Sequence, residues 1–217
     1  MIDHKAHWSK IYRDKPPTQV SWYQAHPALS LKLICESEFD SQAPIIDVGA
    51  GASTLVDHLI EAGFQNLHVL DISGEALHAA QSRLGSAAQQ VRWIEEDITT
   101  AVLPESYFAV WHDRAVFHFL KDADVRQRYV AQAARAVRPG GFLIIATFAQ
   151  DGPEQCSGLD VVRYAPEALF QAFGQQFTPV SSTREAHMTP WDSEQHFIYC
   201  CCRLQADNVL ATDAAAG

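Results

Sequence analysis

The chain has 217 residues, 47% of them hydrophobic and 19% charged, which is ordinary for a globular protein and enough to bury one core around a single sheet. A formal charge of −10 argues against sequence-independent nucleic-acid binding, which needs a basic face to displace counterions, and favours a basic protein or a neutral small molecule as partner. No apolar run reaches the length of a membrane span, and the charged start Met1 to Lys10 has no signal-peptide core, so a cytoplasmic protein without membrane contact is expected.

In chain order, Trp8, Tyr12, Trp22 and Tyr23 precede a helical pattern with Leu29, Leu31, Leu33 and Ile34. Residues 1–40 are therefore expected to form a helical lid or substrate segment, with Trp22 and Tyr23 touching cofactor or acceptor and Trp8 covering the sheet. The run Pro44-Ile-Ile-Asp-Val-Gly-Ala-Gly-Ala-Ser53 reads as a buried strand, a tight glycine turn and a helix start, with the helix over Ser53 to Ala62 stopped by Gly63. Further strands are expected at Leu67–Ile72, Val91–Glu95, Tyr107–Trp111 and Gly141–Phe148, with Ser73 capping one intervening helix and Asp122–Val137 forming another. A helix near Pro166–Phe173 and strands near Phe177–Glu185 and Gln195–Leu204 complete the pattern. Alternating strand and helix predict an α/β fold: a Rossmann-like, doubly wound sheet of seven strands, mostly parallel with an antiparallel late strand. It would occupy residues 41–204, and the Ala-rich residues 205–217 would form a flexible tail.

The glycine turn carries the functional signal. Gly49 and Gly51, with Ala50 between them, let backbone approach a ligand where side chains would block it. Asp47, two residues earlier, would gain nothing from a pyrophosphate but would attract a positively charged ligand, so the loop suits S-adenosylmethionine, with its ammonium, better than a nicotinamide dinucleotide. Thr54 also stands where a dinucleotide loop would want a third glycine. Asp71, followed by Ile72, ends the second strand about twenty residues on, where an acid meets ribose hydroxyls. A nicotinamide oxidoreductase and a non-catalytic cofactor-binding scaffold are the alternatives from other classes.

Five cysteines, three of them adjacent at Cys200–Cys202, cannot form a regular disulfide framework and are expected as free thiols. No metal is expected, since no Cys-x-x-Cys or Cys/His ligand spacing is present.

The order of strand, Asp47 and glycine turn resembles the first motif of the Rossmann-like class I methyltransferases. Asp97-Ile98 after the third strand matches the position where that family hydrogen-bonds the adenine amino group and packs the ring edge. The stretch Trp111-His-Asp-Arg-Ala-Val-Phe-His-Phe-Leu120 is similar to the group containing the lysine methyltransferases of citrate synthase and of a translation elongation factor, together with bacterial relatives. So are Gly152-Pro153, Cys156-Ser-Gly-Leu159, Arg163-Tyr164, Thr189-Pro190 and Gln195-His-Phe197. Asp113-Arg114 equally resembles the thiopurine methyltransferases, and Ser53 departs from the family where a third glycine is common.

The resemblance implies methyl transfer from S-adenosylmethionine, with S-adenosylhomocysteine as product, to a protein lysine or to a thiol or other heteroatom of a small molecule. His112 or its carbonyl would hold the cofactor ammonium, and Asp113 would orient or deprotonate the acceptor, or else cap a helix beginning at Ala115. Arg114 would restrain Asp113 or engage an acidic group of the substrate. Cys156 and Tyr164 would line the opposite wall. Oligomeric state is left open.

Overall fold

The computed structural model describes residues 3–206. From residue 207 onward, the expected tail lies outside the described residues. One seven-stranded sheet forms the centre: β1 (Ile45–Val48), β2 (Leu67–Asp71), β3 (Val91–Glu95), β4 (Phe108–Arg114), β5 (Val137–Phe148), β8 (Phe177–Met188) and β9 (Glu194–Leu204), in the order β3-β2-β1-β4-β5-β9-β8. The first five are mutually parallel, and β9 runs antiparallel to both β5 and β8. Strand order reverses between β1 and β4, and ligands of open α/β sheets bind outside the carboxyl ends at such a point.

Helices α1 (His4–Asp14), α2 (Ala28–Cys35), α3 (Leu55–Glu61), α4 (Gly74–Leu84), α5 (Ala123–Ala136) and α6 (Pro166–Phe173) surround the sheet. A two-stranded hairpin of β6 (Gln155–Cys156) and β7 (Leu159–Asp160), absent from the sequence expectation, follows β5. The cap anticipated at Ser73 is present, its Oγ accepting from Ala76 N; Asp122, expected inside the helix, caps α5 instead, its Oδ1 accepting from Asp124 N and Val125 N.

Period-two alternation divides the core. Leu33, Ile45, Leu55, Val110, Ile144, Tyr199 and Cys201 pack on the α2/α3 face, whereas Ile46, Trp111, Tyr129, Leu143, Leu169, Cys200 and Cys202 pack on the α5/α6 face. The adjacent cysteines thus point to opposite sides of one central strand and cannot converge, and burial raises all three thiol pKa values. Three strands exceed their sequence outlines: β4 continues through Arg114, β8 runs on to Met188, and β5 begins at Val137, with an irregular ladder through Arg138-Pro-Gly-Gly141.

Candidate functional site

Parallel pairing of β1 with β4 places Asp47 directly beside His112. Both lie on the α2/α3 face and are buried, and His112 Nδ1 stands 2.7 Å from Asp47 Oδ1. On its other side, His112 Nε2 is 2.9 Å from Ser30 Oγ of α2, which in turn is 3.3 Å from the Tyr199 hydroxyl of β9. Tyr199 also accepts from Arg114 Nε at 2.9 Å and donates to Glu185 Oε2 at 3.2 Å. Asp47, His112, Ser30 and Arg114 line a cavity at the carboxyl end of the sheet, together with Gly49, Ala50, Trp22 and Tyr23.

Residues 21–25 roof this cavity through five hydrogen bonds. Arg114 Nη1 donates to Trp22 O (3.1 Å), His187 Nε2 to Ser21 O (2.7 Å), Thr54 Oγ1 to Gln24 O (2.9 Å), Gln24 Nε2 to Glu185 Oε1 (3.0 Å) and His58 Nε2 to Ala25 O (3.1 Å). The Trp22 ring meets Trp8 edge-on at 5.7 Å, and Trp8 meets Phe119 at 5.1 Å. Arg114 is further held over the Phe197 ring at 4.2 Å and lies 3.3 Å from Glu185. Its ion-pair partner is therefore Glu185 on the same face, not Asp113.

Asp113 was expected at the reacting centre but sits on the opposite face of the sheet. It is fully buried, accepts from Val116 N (2.8 Å) and Phe117 N (3.1 Å), and accepts from the Tyr129 hydroxyl of α5. Ala115, in the left-handed region at φ +78°, turns the chain so that those amides fold back onto the carboxylate. Its contacts are those of a cap. Burial pushes Asp113 up to about 6 despite these donors and drives Tyr129 well above its ordinary value. One position along β4 reverses the facing of a side chain, which is why His112 reaches the cavity and Asp113 does not.

Cys156 and Tyr164 also lie away from the lining. The Cys156 thiol is packed in the α2/α3 core and pushed up to about 11 by burial. Tyr164 packs on Phe117 at 5.7 Å, on the α5/α6 side. His118 is fully buried, accepts from Phe148 N, and is pushed down to about 3 by burial, so it remains neutral.

Beside the glycine turn, a ledge runs along the ends of β2 and β3. Asp71 is buried there, accepting from Gly51 N (2.7 Å) and Ser73 N (2.8 Å), and desolvation pushes it up to about 6. Half-buried Ile72 follows it. Asp97 Oδ1 accepts from Thr99 N (2.8 Å) and Thr99 Oγ1 (2.7 Å), while Ile98 is buried in the core. Tyr12 of α1 lies over the ledge, and a Cβ on Gly51 would come within 2.0 Å of its hydroxyl. Ion pairs Arg13–Glu75 and Lys5–Glu95, each 2.6 Å, hold α1 across the ends of β2 and β3.

These residues fit S-adenosylmethionine: carboxylates stand at the ends of two adjacent strands and just past a third, with Gly49 and Gly51, which carry no side chain of their own, between the first two. Each Asp71 oxygen keeps a lone pair for a ribose hydroxyl. Asp71→Ala should weaken S-adenosylhomocysteine by about 2 kcal/mol in titration calorimetry, and strand the Gly51 and Ser73 amides, lowering thermal stability as well. An unchanged affinity would remove Asp71 from the cofactor site.

Sequence reasoning missed Ser30, Gln24, Glu185 and Tyr199. The available signal was weak: Ser30 is the one polar residue among the buried positions of a short apolar helix.

Comparison with known proteins finds methyltransferases. A methyltransferase domain model matches residues 45–141. The mouse eEF1A lysine and N-terminal methyltransferase is 25% identical over 150 residues, covering 66% of this chain and 21% of that protein. An uncharacterised methyltransferase of Mycobacterium tuberculosis is 31% identical over 104 residues, covering 48% of this chain and 50% of that protein. The chain thus spans half or less of the length of these relatives. A solved structure from work on conversion of a disulfide bond into a thioacetal group during echinomycin biosynthesis superposes with a TM-score of 0.77 at 16% identity, covering 94% of each chain. The seven-stranded order, the glycine turn at a strand end and the methyltransferase domain matched over residues 45–141 together support a class I, Rossmann-like S-adenosylmethionine-dependent methyltransferase.

Proposed function

We propose that this chain methylates an amine nitrogen, with a protein lysine side chain as the favoured acceptor. The observation that carries this reading is the cavity at the switch point, where a buried carboxylate–imidazole pair stands beside the glycine turn under two aromatic rings. Asp47, Gly49, Ala50 and Gly51 would hold the cofactor's amino-acid end, Asp71 and Ile72 its ribose, and Asp97 and Ile98 its adenine. When bound, S-adenosylmethionine supplies an already activated methyl group, so the protein's work is alignment, exclusion of water and control of the acceptor's proton. Trp22 and Tyr23 would wall the acceptor's path, where π faces favour a cation on entry. The lysine assignment rests on the lysine methyltransferase relatives and on the acidic charge of the chain.

A small-molecule acceptor is the second reading, and the roof favours it. Five hydrogen bonds pin residues 21–25 over the cavity, which suits an enclosed ligand better than a protein loop. Calorimetry should show binding of S-adenosylhomocysteine and none of NADH. In a lysate incubated with labelled cofactor, mass spectrometry should find the label on protein lysines; label confined to small molecules would overturn the lysine assignment and establish the second reading. Binding of NADH in place of S-adenosylhomocysteine would remove both.

A further inference from the structure

We propose that Ser30, His112 and Asp47 form a proton relay that converts an incoming alkylammonium into the neutral amine that accepts the methyl group. This rests on the methyl-transfer reading above and assigns three residues to one task within it. An ionised carboxylate only accepts hydrogen bonds, so the 2.7 Å contact to Asp47 places the imidazole proton on His112 Nδ1. His112 Nε2 is then left with a lone pair, and the hydroxyl 2.9 Å away on Ser30 donates to it. Ser30 keeps its own lone pairs for the cavity, which all three residues line.

The geometry is that of a carboxylate orienting an imidazole that draws on a hydroxyl. The polar network on the other face of the same strand, Asp113 with Tyr129 and Trp111, does not line this cavity and is spent on capping.

The surroundings make His112 the proton's destination. Around it stand Asp47 from β1, Arg114 two residues along its own strand on the same face, and Tyr199 of β9 behind Ser30; Asp113 of its own strand points to the opposite face, Glu185 of β8 stands behind Arg114, and α2 contributes only the neutral Ser30. Glu185 lies 3.3 Å from Arg114, and the carboxylate in direct contact with the imidazole is that of Asp47.

The ammonium proton passes to Ser30 Oγ as the Ser30 proton passes to His112 Nε2. The freed nitrogen lone pair then forms the bond to the methyl carbon, and the electron pair of the broken S–CH₃ bond stays on sulfur. The methylated nitrogen retains the positive charge that the sulfonium loses, and one proton remains on His112 until it is released to solvent. Ser30 and His112 act as catalytic residues, and Asp47 as the positioning residue behind them.

Long-range proton–nitrogen correlation spectra of histidine-labelled protein saturated with S-adenosylhomocysteine, recorded from pH 6 to 9, should show His112 neutral at the upper end, with its proton on Nδ1. The Asp47→Asn variant should lose that preference. A bare Nδ1, or an imidazolium throughout the range, would overturn the relay. Turnover is read with a lysine-containing peptide and with n-butylamine. Ser30→Ala should lower kcat about a hundredfold at pH 7, with the loss shrinking towards pH 10, where the amine arrives already neutral. A loss equal at all pH values, or none, marks Ser30 as structural and overturns the proposal. If neither amine turns over, the tautomer decides. Absence of S-adenosylhomocysteine binding would defeat the methyl-transfer reading separately.

Discussion

Gly49→Ala should destabilise the protein by about 3 kcal/mol and abolish measurable S-adenosylhomocysteine binding. Gly49 has φ +62°, a left-handed conformation that costs an alanine about 1 kcal/mol. Its added Cβ would also lie 1.8 Å from Val116 Cγ2, an overlap that must displace either the glycine turn or the segment after β4. Overpacking of that kind costs about 1–3 kcal/mol more. Val116 Cγ2 is the only atom under 3 Å, so Val116→Ala in the Gly49→Ala background should restore part of the stability by removing the clash while leaving the dihedral strain. Denaturant unfolding of the single and double variants separates the two contributions. A single variant as stable as the parent would show that the turn has room it does not have in this structure.

Asp113→Ala should cost about 3 kcal/mol at pH 7 while leaving S-adenosylhomocysteine affinity within a factor of two to three. Three donors lose their acceptor, the Val116 and Phe117 amides and the Tyr129 hydroxyl. Stranded buried donors cost about 1–3 kcal/mol each, and relief from burying the charge returns part of that. The pH dependence carries a definite sign. Burial raises the folded pKa of Asp113 from 3.8 to about 6, so between those values the native state holds a proton that the unfolded state has released. The stability this confers is complete below about pH 4 and is lost as pH rises through 6. The penalty of Asp113→Ala should accordingly be larger at pH 5 than at pH 7. A penalty that grows towards pH 7 instead would mean that the carboxylate, not the acid, is the favoured form in the fold. Normal stability with lost cofactor affinity would contradict the cap.

The order of elements was legible because β1 and β2 are short apolar runs closed by Gly49 and Asp71, and α4 begins at the recognisable cap Ser73. Strand lengths were less so. β4 keeps its ladder through the polar residues His112, Asp113 and Arg114, because pairing with β1 and β5 outweighs their local preferences.

What the sequence by itself determined is the class of sheet, the position of the glycine turn and the strand-end acid Asp71, since these are local patterns of backbone freedom and hydrophobic period. Tertiary structure decided which side chains face one another. The register Asp47 against His112 spans 65 residues of sequence and depends on how β1 and β4 align. Ser30, 82 residues from His112, enters only because α2 packs its buried serine onto that face of the sheet. The same alternation turned Asp113 towards Tyr129 and away from the cavity. A period of two assigns neighbouring residues to opposite faces, but only the packed helices and the strand order fix which face holds the crevice.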